Sequence, residues 1–343
     1  LKSDELSKNN DIDLVVGSEN KLNIPEIVKK EMNSKLVTSK FDSIESFSLS
    51  YSSGDRVRSF IKVQDGCDYN CTFCTIPLAR GKSRSSKISE IVDVVNSLDR
   101  KGYKEVVLSG INLGDFGNGS NQNCFQLFQE IEKSTSIPRI RISSIEPNLL
   151  SDNIINLIAS SKRFMPHFHI PLQSGSDRIL KLMKRKYNVR FYSNKINKIK
   201  SIIPNASIGV DVIVGFPTET DDEFNETYNL LSDLEVSYLH VFTYSERENT
   251  IAINLKPKVA QEVRNTRSKK LRALSEYLKS QFIIKNMNTN HTILVEGVHD
   301  NVLHGYTENY IKFHVNSNRM KINDLVNVKP LDSSYGTITG KTV

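Results

Sequence analysis

Cys67, Cys71 and Cys74 fall within VQDGCDYNCTFCTIPLARGKSR, residues 63–84, at the spacing C-x3-C-x2-C. Three thiolates this close in sequence can hold three corners of a 4Fe-4S cubane, whose ordinary form takes four ligands, so one iron is left open. A single zinc would need a fourth donor from Cys124, His167 or His169, and structural zinc sites usually come as two paired half-motifs. A disulfide fits worst, because three clustered cysteines leave one unpaired and nothing in the chain signals an oxidising compartment. Cys124 opens a helical pattern far along the chain, where a small half-buried apolar residue is expected.

The elements that must position this loop form an alternation. Apolar runs predict buried strands at 60–63, 105–111, 139–145, 167–172, 207–214 and 238–244. Between them, helical patterns cover 88–101, 125–133, 152–160, 178–202 with a break near Asn188, and 222–234. Ser151 reads as an N-cap and Thr220 with Glu223 as a capping box. Strand and helix in alternation predict parallel strands with right-handed crossovers, in a sheet either open and doubly wound or curled into a barrel. Ligands gather at the carboxyl ends of the strands in both, and the cysteine loop follows the first strand.

Later strand ends bring polar groups to the same side. The second ends in SGINLGDFG, where Gly110, Gly114 and Gly117, with Asn112 among them, let backbone approach a ligand or form a plain flexible turn. RISSIEP closes the third and places Ser144 and Glu146 at the mouth. The fourth, HFHIPLQSGS, sends His167 and His169 to one face, as a metal pair or as hydrogen-bonded barrel-lining residues. Its turn offers Gln173, Ser174, Ser176 and backbone amides to a polar ligand. Asp211 interrupts the apolar fifth strand, so it is either a hydrogen-bond hub or a site residue.

With 343 residues and 38% hydrophobic content the chain can fill two or three domains. No apolar run approaches a membrane span and LKSDELSKNN lacks the plan of a signal peptide, so the cytoplasm is the expected compartment. A net charge of +7 fits a polyanionic partner. Residues 178–200 hold nine lysines and arginines and no acid, and the helix after Pro257 adds Arg264, Arg267, Lys269, Lys270 and Arg272. Residues 290–343 alternate apolar and polar between turns, as in a small closed β-barrel. There Tyr306, Tyr310, Phe313, Lys312 and Arg319 could stack bases and hold phosphates, unless the aromatics fill a core. At the other end, a strand at 14–16 and a helix introduced by Pro25 are too little to enclose a core, and serine-rich 33–58 reads as a linker or extended crossover.

Six fragments in order, CDYNCTFCTIPLARGKSRS, LSGINLGDFG, RISSIEPNLL, HFHIPLQSGSDRILKLMKRKY, VDVIVGFPTETDDEF and HVFTYSERENTIA, resemble the methylthiotransferase branch of the radical S-adenosylmethionine (SAM) superfamily. The resemblance runs from about residue 11 to the C-terminus. It implies an α/β fold: a partial (βα)6 barrel over 51–287, a remnant of an N-terminal domain plus linker over 1–50, and a TRAM-like RNA-binding barrel over 288–343. TIPLARGKSRS and HVFTYSERENT look most like the enzymes that convert N6-threonylcarbamoyladenosine, next to the anticodon of transfer RNA, to its 2-methylthio derivative. Near relatives act on isopentenyladenosine or on a ribosomal-protein aspartate.

The resemblance also implies the cofactors and partners. Cys67, Cys71 and Cys74 would bind a 4Fe-4S cluster, with Gly110, Asn112, Ser144, Glu146, Gln173, Ser174, Ser176 and Asp211 along SAM. A transfer RNA and an electron donor would be the partners. The family binds a second, auxiliary 4Fe-4S cluster through three N-terminal cysteines, whereas residues 1–66 contain none. The expectation is a sequence that starts inside the N-terminal domain, with the second cluster present only in the full-length protein; the alternative is a paralogue that has lost that cluster. Two competing readings stand beside this one: a non-catalytic RNA-binding protein with structural zinc, and a radical SAM enzyme acting on a protein.

Overall fold

The computed structural model has six strands in the order expected: β1 (Arg58–Lys62), β2 (Glu105–Ser109), β3 (Arg139–Ile142), β4 (His167–His169), β5 (Ser207–Val214) and β6 (Tyr238–Thr243). The structure describes all residues except 1, 18–19, 31–34, 38–46, 55–56, 317–319 and 335. Each strand lies parallel to its neighbour in sequence, with Arg58 opposite Glu105, Glu105 opposite Arg139, His167 opposite Ser207 and Gly209 opposite Tyr238. Two isolated bridges, Ile140 to Phe164 and Ser144 to His169, join β3 to β4. The sheet is curled, because one ring, Tyr310, lies against Arg58 of β1, Arg141 of β3 and His167 of β4. It stays open, because β6 pairs with β5 alone among the described residues.

The principal helices that flank or follow the strands are α1 (Ile88–Arg100), α2 (Cys124–Ser134), α3 (Asp152–Ser160), α4 (Asp177–Leu182), α5 (Val189–Ile202), α6 (Asp221–Asp233) and α7 (Gln261–Asn286). Their apolar residues recur at helical spacing, as in Ile91, Val95 and Leu98 of α1, and pack on Val106, Leu108, Ile140, Phe168, Ile208 and Val210 of the strands. The alternate strand residues must then line the concave lumen. Ser151 caps α3 and Thr220 forms a reciprocal capping box with Glu223. Asn188 caps α5, which explains the break there. The long α7 covers the open edge of β6: the Ser275 hydroxyl bonds both the N–H and the carbonyl of Leu239, and Arg272 donates to the Val241 carbonyl.

The two basic stretches are corrected by their partners. Within 178–200, Arg178 pairs with Glu223, Lys195 and Lys198 pair with Asp152, and buried Lys200 donates to the carbonyls of Pro204 and Ala206. On α7, buried Arg264 and Arg267 hold Glu246, Glu219 and Asp221. Much of this charge therefore binds the protein to itself, while Lys269 and Lys270 stay exposed.

Near the start, Val15–Val16 pairs in parallel with Leu36–Val37 around the helix Ile24–Lys29, whose first turn contains Pro25. No described residue before Ser59 is buried. The stretch expected as a linker thus contains Leu36–Val37 and also Ser50–Tyr51, which pairs antiparallel to β1; more than half of the remainder lies outside the described residues.

After α7, five strands close a barrel in the order β7 (His291–His299), β8 (Val302–Thr307), β9 (Lys312–Asn316), β11 (Thr337–Thr342), β10 (Leu325–Ser334). Ile293, Val295, Leu303, Phe313, Val315, Val326, Val328 and Ile338 fill it. A Cβ at Gly340 would stand 2.2 Å from the Lys329 carbonyl oxygen, so the strands close only over glycine there. Phe313 is fully buried and stacks no base. Tyr306 and Tyr310 stack on each other at 4.7 Å, and Tyr310 stacks on His167 at 4.6 Å, so both tyrosines plug the lumen floor. Lys312 is exposed, and Arg319 lies outside the described residues. No helix among the described residues is long and apolar enough to cross a membrane.

Candidate functional site

The cysteine loop leaves β1 and is tied at its neck. Gln64–Asp65 pairs with Arg84–Ser85, and the Cys67 N–H donates to the Gly81 carbonyl at 3.1 Å. Gly66 sits at φ +74 with the Lys82 carbonyl oxygen 1.9 Å from where a Cβ would be, so no other residue fits that turn. The short helix Ile76–Arg80 follows Cys74 and ends at Gly81.

Donors converge on the sulfurs. The N–H of Tyr69 reaches Cys67 Sγ and that of Ile76 reaches Cys74 Sγ, each at 3.4 Å, while Arg185 Nη1 lies 3.2 Å from Cys71 Sγ. Glu146 and the Tyr187 hydroxyl hold that guanidinium, and Tyr187 in turn donates to the Pro171 carbonyl at 2.8 Å. Burial pushes all three thiols up, Cys67 to about 11, with the Tyr69 N–H opposing the rise. Metal binding would deprotonate them, and the donors would then stabilise sulfur-borne negative charge.

Beside the loop, polar atoms are left without partners. Gln64 donates to the Gly66 carbonyl and accepts the Asn112 N–H at 3.0 Å, tying the loop to the second strand end. Asn112 is 4% exposed, and neither atom of its side-chain amide has a partner. Asp115 Oδ2 and Asn148 Oδ1 are buried and unpartnered as well. An unmet buried polar group costs about 1–3 kcal/mol, so a group of them at one mouth marks where a polar ligand would complete the structure.

The other expected site residues divide. Gly110 is crowded by Gln64, whose Oε1 would lie 2.9 Å from an added Cβ, so the close approach there is to the protein itself. Ser144 bridges His169 and accepts from the Leu113 N–H, and Glu146 is engaged with Arg185. Gln173 takes φ +70, and its N–H donates to the Asp211 carbonyl. Ser174 is fully buried and accepts the Ser176 N–H. Ser176 donates to Glu223, away from the mouth, and the Gly175 amide goes to Thr227, so the QSGS turn spends these groups internally. His167 and His169 share a face without forming a metal pair: His167 bonds the Tyr238 hydroxyl and His169 bonds Asp211. Asp211 is the hub, accepting from His169 and His240; burial raises its pKa, and these two bonds outweigh that and bring it to about 2.

Sequence reading missed Arg185, Gln64, His240 and the buried charges of the floor. Arg185 lies in KRK, which looks like a solvated basic run; only packing brings it to Cys71. The floor did carry a signal, since RIRI places two arginines inside a buried strand.

Among the described residues, the single set of three His, Cys, Asp or Glu donors close enough to share one metal ion is His169, Asp211 and His240. Cys67, Cys71 and Cys74 are free thiols and are not part of that set. Cys124 is buried at the start of α2, with its thiol pushed up by burial.

A family model described as the Radical SAM superfamily matches residues 61–231. The chain is 39% identical over 296 residues to a threonylcarbamoyladenosine tRNA methylthiotransferase MtaB of Bacillus subtilis, covering 84% of this chain and 66% of the relative. Its identity to the MtaB of Aquifex aeolicus is 40% over 319 residues, or 90% of this chain and 75% of the relative. A tRNA-2-methylthio-N(6)-dimethylallyladenosine synthase of Bacillus subtilis is 33% identical over 349 residues, 98% of this chain and 68% of the relative. The chain thus spans about two thirds to three quarters of the length of these relatives.

Proposed function

Because the chain belongs to the methylthiotransferase family of the radical SAM superfamily, we propose that it is the radical core of an enzyme adding a methylthio group to C2 of N6-threonylcarbamoyladenosine, next to the anticodon of transfer RNA. One observation carries the reading: three unpaired thiols, with N–H donors on each sulfur, sit at the carboxyl end of a (βα)6 half-barrel beside an unpartnered buried amide. When bound, the cluster and SAM supply a 5′-deoxyadenosyl radical, which can take hydrogen from a C–H too inert for a positioned acid or base.

The residues of the chain do the remaining work. Arg185 balances the charge at Cys71, and Glu146 and Tyr187 keep it there. Asn112 offers an amide donor and acceptor to SAM. Walls of buried strand and helix keep water and stray hydrogen donors away from the reacting carbon. Sulfur insertion would call on the family's auxiliary cluster, for which residues 1–66 supply no cysteine. The C-terminal barrel is the TRAM-like domain in this reading and meets transfer RNA through exposed groups such as Lys312, since Tyr306 and Tyr310 serve the floor. The compartment would be the cytoplasm.

The test uses the full-length gene product, reconstituted anaerobically with iron and sulfide and given SAM, a low-potential reductant and transfer RNA bearing threonylcarbamoyladenosine. Mass spectrometry of the nucleosides should show a gained methylthio group. Modification of the dimethylallyladenosine substrate instead would move the protein to the other branch. Release of 5′-deoxyadenosine with neither nucleoside changed would overturn the substrate reading and leave the radical core standing.

A further inference from the structure

A second cluster of metal-binding side chains lies in the lumen, separate from the cysteines. His169 on β4, Asp211 on β5 and His240 on β6 present their donor atoms within 4.8 Å of one another. Asp211 Oδ1 is 2.7 Å from His169 Nε2 and 3.1 Å from His240 Nδ1. The two imidazoles stand edge to face with centroids 5.0 Å apart. We propose that His169, Asp211 and His240 form a binding site for one divalent first-row transition metal ion.

The geometry suits that ion. Bonds of about 2.0–2.2 Å set adjacent donors roughly 3.0–3.5 Å apart, so the two donor pairs measured from Asp211 need to adjust by only tenths of an ångström. Two imidazoles and one carboxylate on one face form a facial triad, which leaves the opposite positions free for water or an oxygen ligand. His240 is about half exposed, whereas His169 and Asp211 are mostly covered, so the free positions open toward solvent through β6. All three residues sit on paired strands, with Asp211 directly opposite His240 and His169 opposite Gly209, and strand backbone holds such a triad more firmly than loops would. The site does not depend on which nucleoside the enzyme modifies.

The test is a Mn2+ titration of the anaerobically reconstituted protein, read by electron paramagnetic resonance. The oxidised 4Fe-4S cluster is silent, so the lines of free Mn2+ report binding directly. One equivalent should disappear from solution per chain. His169→Ala, Asp211→Asn and His240→Ala should each weaken binding at least about tenfold, while His304→Ala, at the histidine pair of the C-terminal barrel, should leave it unchanged. Circular dichroism melting and iron content establish that each variant is folded, and half-exposed His240 is the substitution the fold tolerates best. A protein that leaves the Mn2+ signal intact would overturn the proposal, as would His240→Ala and His169→Ala variants that bind as the parent does; the triad would then be a hydrogen-bonded hub alone.

Discussion

The two ends of one lumen are built on opposite principles. At the floor, Glu105 is buried among Arg58, Arg139 and Arg141, and although burial pushes its carboxyl up, the three guanidiniums hold it below the ordinary range. Those arginines are themselves engaged by the C-terminal barrel: Arg139 donates to the carbonyls of Thr292 and Tyr306, Arg141 to those of Thr307 and Glu308, and Arg58 pairs with Glu296. At the mouth, by contrast, Asn112, Asp115 and Asn148 hold buried polar atoms that the protein does not satisfy. The floor is largely locked, although His167 Nδ1 is buried there without a partner, and the mouth is where three residues together are left incomplete for a ligand. Polar groups in the same sheet thus serve stability at one end and binding at the other, according to whether their partners are internal.

Substitutions can break this contrast. The largest effect belongs to the mouth: Cys71→Ala should abolish cluster iron and 5′-deoxyadenosine formation, read by iron analysis and chromatography, with little change in the melting curve of the metal-free protein. At the floor the order reverses. Glu105→Ala strands two buried arginines and should cost about 3–5 kcal/mol in denaturant unfolding. Tyr310→Ala removes the ring between Tyr306 and His167 and should cost about 2–3 kcal/mol, yet leave transfer RNA affinity of the folded protein within a factor of about two; a large loss of affinity without a loss of stability would make it an RNA contact after all.

Smaller effects sharpen the comparison. Asn112→Ala deletes an unsatisfied amide, so stability should hold or rise by about 1 kcal/mol while SAM binding weakens about tenfold by calorimetry. The last effect is a titration. Burial and the nearby Arg141 guanidinium hold the His167 imidazole well below its ordinary 6.5. Above 6.5 the group contributes no pH dependence; as pH falls below it the unfolded chain takes a proton that the folded chain refuses, so stability drops by up to about 1.4 kcal/mol per pH unit. His167→Gln should flatten that slope in melts between pH 6.5 and 5.

Sequence alone determined the alternation of strands and helices, the caps at Ser151 and Thr220, the break near Asn188, and the cysteine loop, because each is written in local spacing that backbone geometry must obey. It also restricted Asp211 to two roles, since a carboxylate within an apolar strand has few ways to exist. Tertiary structure decided which charges are surface and which are mortar. Arg185 and Arg190 look alike in KRKYNVR, yet Arg185 is buried against Cys71 and Glu146 while Arg190 is exposed. Tyr306, Tyr310 and Phe313 look like a stacking surface until the barrel closes over one and docks the other two beneath the sheet. The reason is one of range: local pattern fixes the face of an element on which a side chain stands, but a partner 70 or 170 residues away fixes what that face meets, and only the folded chain brings Tyr238 to His167 or Tyr306 to Arg139.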